Sequence, residues 1–150
     1  MNNMEIVFEP AIIDYVIGVV AVAIAVVVIV AVYFFRKNKR LEGVDRKFVQ
    51  EQWRKIEELF SYGKDMNFKL AVIEADKLLD EVLKLMHFPG NTMAARLKLA
   101  SYKFPKLKSV WWAHKVRNHV VHDVRYNLRH GETKMVLKLF RAALKELNAL

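Results

Sequence analysis

The feature that most constrains this chain is a run of twenty-one residues, Tyr15 to Phe35, without a single charged side chain. A helix rises about 1.5 Å per residue, so roughly twenty apolar residues cross a hydrocarbon core about 30 Å thick. The run is rich in Val, Ile and Ala, a composition that water disfavours on a surface helix. In lipid such a helix satisfies every backbone polar group internally. The sequence therefore predicts a transmembrane helix over residues 11–35. Tyr15 at one end and Tyr33, Phe34 and Phe35 at the other suit the aromatic belts of a membrane interface.

Charge sets the expected orientation. Residues 1–35 hold no Lys or Arg but do hold Glu5, Glu9 and Asp14. All 25 basic residues follow, against 13 acidic ones, and Arg36-Lys37-Asn38-Lys39-Arg40 comes directly after the apolar run. Basic residues stay on the cytoplasmic side, which puts the C-terminal part in the cytoplasm and a short acidic tail, residues 1–10, outside. A cleaved signal peptide would have the reverse charge order and a shorter apolar core. The expected location is the plasma or inner membrane, with a single pass. Gly18, Ala21 and Ala25 share one helix face, which suits close helix approach, although Ala is common throughout the segment.

Residues 36–43 read as a basic linker, and residues 44–150 as one small domain. The chain has no cysteine, which excludes disulfides, thiolate metal sites and cysteine nucleophiles. Between Glu81 and Asp123 there is no acidic residue, but there are Lys84, Arg96, Lys98, Lys103, Lys106, Lys108, Lys115 and Arg117. Such a stretch suits a polyanion, either nucleic acid or an anionic lipid surface. An ordinary solvated basic face is the alternative.

Apolar periodicity predicts only helices. The first stripe is Phe48, Trp53, Ile56, Leu59 and Phe60, stopped by Gly63. Asp65 is the expected cap of a second helix. There Phe68, Ala71, Val72, Ala75, Leu78, Leu79, Val82 and Leu83 face a core, and Glu74, Asp76, Asp80 and Glu81 face mostly away. Thr92 is expected to cap a short helix that Phe104-Pro105 ends. Ser109 is expected to cap a helix over Val110–Arg125. A final helix, about Thr133–Ala149, carries Met135, Val136, Leu139, Phe140, Ala143, Leu144 and Leu147. The expected fold class is all-α: one membrane helix and a cytosolic four- or five-helix bundle. Its core should include Trp112, Val116, Val120, Leu79, Leu83, Phe140 and Leu144.

Chemistry is concentrated in the Val110–Arg125 helix. At about 100° per residue, Trp112, Ala113, Val116, Val120 and Val124 fall on one side. Trp111, His114, Asn118, His122 and Arg125 fall on another, and Arg117 lies between. His114, His119 and His122 lack the further ligands a zinc site needs, so no metal and no cofactor are expected. Trp53, Trp111 and Trp112 read as core or interface aromatics rather than base-stacking platforms.

Arg117-Asn118-x-x-x-His122 resembles the Arg-polar-x-x-x-His motif of HEPN domains. These are helical bundles, many of them metal-independent endoribonucleases. The preceding Trp111-Trp112-Ala113-His114-Lys115-Val116 is similar to the approach to that motif in uncharacterised HEPN-like bacterial proteins. The resemblance covers roughly Val44–Leu150. It implies Arg117 and His122 as a catalytic pair, Asn118 as the residue orienting them, and His114, Lys115 and Arg125 as supporting or RNA-binding residues. It also implies a homodimer through the 110–125 helix, with a composite site. Imidazole near its ordinary pKa of about 6.5 can move the proton of a 2′-hydroxyl, and a guanidinium fork matches a phosphate. Toxin-type relatives often carry Tyr two residues after the His; here that position is Val124. A non-catalytic RNA- or protein-binding module is the alternative, with Arg and His in a buried polar network.

Overall fold

The computed structural model describes residues 10–37 and 44–150; the tail and most of the basic linker lie outside the described residues. The chain divides into two units, 1–39 and 40–150. In the first, α1 runs Pro10–Lys37, so the helix continues through two residues that the sequence assigns to the linker. Its stretch Asp14–Val32 is long and apolar enough to cross a membrane, and none of it is buried within the protein.

The second unit holds α2 (Arg46–Ser61), α3 (Asp65–Leu85), α4 (Met93–Lys103), a short 3-10 turn (Pro105–Ser109), α5 (Val110–His122) and α6 (His130–Glu146). No strand occurs among the described residues. The central helix is α3, which packs against α2, α4, α5 and α6. All eight apolar residues expected on its inner face are buried. Val49, Trp53 and Ile56 of α2 close over it from one side. Phe140 and Leu144 of α6 close from another, and Ala113 and Val116 of α5 from a third.

Local signals explain most of the helix ends. The Asp45 carboxylate accepts from the backbone N–H groups of Lys47 (2.9 Å) and Phe48 (3.4 Å) and so caps α2. Gly63 adopts φ +71°, the left-handed conformation that stops the helix. Thr92 Oγ1 accepts from Ala95 N at 3.1 Å, as expected of a cap.

Other expectations fail for identifiable reasons. Asp65 is not a cap but the first residue of α3, where its carboxylate accepts Leu128 N at 3.3 Å and pairs with Lys69 at 3.1 Å. Ser109 stands at the N-cap position of α5, as expected, but its hydroxyl makes no cap bond; it donates to Lys106 O at 2.9 Å within the 3-10 turn. α5 ends at His122, because the Asp123 carboxylate accepts Arg125 N at 2.9 Å and starts a turn, leaving Val124 and Arg125 outside the helix. α6 begins three residues earlier than expected, and Thr133 is buried inside it with its hydroxyl donating to Arg129 O. Phe48 and Met135, expected in stripes, are exposed.

Candidate functional site

Burial along α5 reassigns its faces. Ala113, His114 and Val116 are buried and Val120 is half-buried, whereas Trp112, expected in the core, is 42% exposed. His114, expected on the outer face, is 8% exposed. The reason lies on α3. Asp76, expected among the solvent-facing acids, is 2% exposed. It lies four residues after Val72 and three before Leu79, which puts it on the buried face of α3.

A buried carboxylate needs partners, and α5 supplies two. Asp76 Oδ1 lies 2.7 Å from His114 Nδ1. Since an ionised carboxylate only accepts, Nδ1 carries the hydrogen, and Nε2 is left for other use. Asp76 Oδ2 lies 3.3 Å from Arg117 Nε. That second contact is an ion pair without hydrogen-bond geometry, so the buried Nε–H of Arg117 is unsatisfied. At the other end of the guanidinium, Nη1 donates to Asn118 Oδ1 at 3.2 Å.

One helical turn along α3, Asp80 forms a second polar centre. Arg96 of α4 donates to it in a fork, Nε to Oδ1 at 2.7 Å and Nη2 to Oδ2 at 2.9 Å, and Lys84 adds an ion pair at 2.8 Å. Burial works to raise the Asp80 carboxyl, but the hydrogen bonds and charges of Arg96 and Lys84 outweigh it and hold the group below the ordinary carboxylate value. Arg96 also donates to the Gly90 carbonyl, which ties the α3–α4 loop to the site. Gly90 sits at φ +146°, and a Cβ there would come within 2.9 Å of Ala95 Cβ, so a side chain is excluded.

The two centres share one open polar depression of about 420 Å³. Of the expected site residues, His114, Arg117 and Asn118 line it. With them come Lys84 and Arg96, from the basic stretch expected to suit a polyanion, and Asp76 and Asp80, which were not expected in the site. Asp76 could have been found by extending the apolar positions of α3, since it falls in line with them. Lys115, His122 and Arg125 do not line the depression, and all three are exposed. Arg117 and His122 are therefore not brought together in one chain: five residues along a helix is a rotation of about 140°. Among the described residues no group of three His, Cys, Asp or Glu side chains gathers as a metal site. Of the other two histidines on α5, His119 stacks on Tyr126 at 5.5 Å, and His122 ends the helix.

The acid-free stretch is also partly neutralised. Arg96 and Lys84 are engaged by Asp80, Arg117 by Asp76, and Lys106 by Glu146 at 2.8 Å. Lys98, Lys103, Lys108 and Lys115 remain exposed.

Comparison with known proteins gives no match to a family model, to a curated protein or to a solved structure.

Proposed function

We propose that this chain is a single-pass membrane protein whose cytoplasmic helical bundle is a HEPN-like module that binds RNA at the depression around Arg117. The observation that carries the reading is the convergence of His114, Arg117 and Asn118 on one open polar depression, with the exposed ammonium of Lys84 at its edge and the buried Arg96 held by Asp80 and the Gly90 carbonyl. Arginine and lysine are the groups that hold a phosphodiester, and Asn and His add hydrogen-bonding capacity beside them. The membrane part rests on the apolar length of α1, and the orientation on the basic residues that follow it.

Within one copy the reading is of binding without cleavage. Asp76 draws Arg117 inward, and His122 ends the helix on the exposed side. The test is RNA binding by the full chain in detergent, followed across a salt series. Counterion release predicts a steep loss of affinity with salt. Lys84→Ala should lower the affinity at every salt concentration and reduce the slope by about one. Binding indifferent to both salt and Lys84 would remove the reading.

A second reading, metal-independent endoribonuclease, is favoured by the exposure of His122 together with Val121, 46% exposed, at the end of α5. A second copy meeting that end would bring its His122 to the Arg117 that lies about 140° away from His122 in one chain. Cleavage of a mixed RNA pool in EDTA that is lost in Arg117→Ala and in His122→Ala, and restored by mixing the two, would establish it.

A further inference from the structure

The start of α5 presents an exposed surface that the RNA-binding reading does not use. Lys108, Trp111, Trp112 and Lys115 fall within eight consecutive residues, and all four are exposed. At about 100° per residue Trp111, Trp112 and Lys115 of α5 share an arc of roughly a quarter turn, and Lys108 precedes them in the 3-10 turn. The Trp111 ring meets His114 edge-on at 6.4 Å between centroids, and among the described residues Trp112 stacks on no ring. Neither lysine is held by a carboxylate among the described residues.

We propose that this surface docks on the anionic lipid headgroups of the membrane that α1 crosses, an inference that rests on α1 spanning a bilayer. Three observations favour that occupant. Tryptophan has an apolar ring and a polar N–H, the combination that partitions to a headgroup boundary, and flanking lysines are drawn to negative lipid. Charge argues against a second copy on the same surface, because two-fold pairing would set lysines against lysines in a stretch that contains no acidic residue from 82 to 122. Chain length argues for lipid over a free polyanion. Only eight residues separate the last residue of α1, Lys37, from the first of α2, Arg46. Even fully extended, such a tether reaches under about 30 Å, so the bundle experiences headgroups at high effective concentration.

The chain carries its own probe. Its three tryptophans are Trp53, Trp111 and Trp112, none in the apolar run, and Trp53 is buried at 3% exposure. The experiment places the full chain in nanodiscs of phosphatidylcholine alone, or of equal parts phosphatidylcholine and phosphatidylglycerol, with bromine on the acyl chains near the headgroups. In the anionic discs the emission of Trp111 and Trp112 should shift to the blue and lose most of its intensity. Lys108→Glu combined with Lys115→Glu should abolish both effects, and these exposed positions leave the fold intact. Equal emission in the two kinds of disc, unaffected by the charge reversal, would overturn the proposal. So would a blue shift that appears only on adding RNA, or one that grows with protein concentration in lipid-free detergent, since each names a different occupant. A chain that alkaline carbonate strips from vesicles would overturn the spanning reading and the docking together. A chain that stays inserted with unquenched tryptophans would overturn the docking alone.

Discussion

Asp76 is the most buried ionisable side chain among the described residues, and its two partners fix which way α5 faces. Removing one partner of a buried ion pair is costly because it leaves the other charge uncompensated, typically by about 3–5 kcal/mol. Asp76→Ala strands both His114 and Arg117. It should therefore lower unfolding stability by an amount in that range, read from the denaturant midpoint of the full chain in detergent. His122→Ala, at an exposed helix end, should stay within about 0.5 kcal/mol of the parent. Asp80 adds a pH dependence with a definite sign. Its folded pKa lies below its unfolded one, so its contribution is present above the unfolded value and is lost as pH falls through the folded value. Asp80→Asn should thus cost stability at neutral pH and flatten the acid limb of a stability–pH curve. An unchanged acid limb would mean that the Arg96–Asp80 fork contributes nothing.

Across the helices, the inner face of α3 was legible in the sequence, because eight apolar positions repeat at helical spacing and a central helix buries all of them. The face of α5 was not. Its periodicity offered Trp112 as core and His114 as surface, and the structure reverses both. A large apolar ring can stay exposed at little cost to the fold, whereas a buried carboxylate must be satisfied. The deciding residue, Asp76, lies 38 positions from His114, beyond the reach of any local pattern. The 140° rotation between Arg117 and His122 was legible from spacing alone, and it is what separates them. The α3–α4 loop depended on a conformation that only Gly90 supplies. Gly90→Ala meets both a positive φ and a Cβ contact of 2.9 Å, so it should destabilise by more than about 1 kcal/mol and loosen Arg96. Thermal melts of the parent and the variant would read that loss.

At the scale of the whole molecule, the apolar run of α1 was legible from length and composition, and so was the helical class of the bundle. The depression was not, because it is assembled from α3, α4, α5 and the loop holding Asn91 and Thr92. Topology is open to direct labelling, since the chain has no cysteine of its own. Asn2→Cys should react with an impermeant maleimide on intact cells, and Lys98→Cys only after lysis; the opposite pattern would invert the chain. Tether and site together make the proposed molecule a membrane-held bundle that binds RNA beside Arg117. Ultraviolet crosslinking of RNA to the chain in native membranes, with the modified peptides then mapped, tests both parts at once. Crosslinks are expected in residues 90–96 and 114–118. Crosslinks confined to other surfaces of the bundle, or membrane-held protein that recovers no RNA at all, would contradict it.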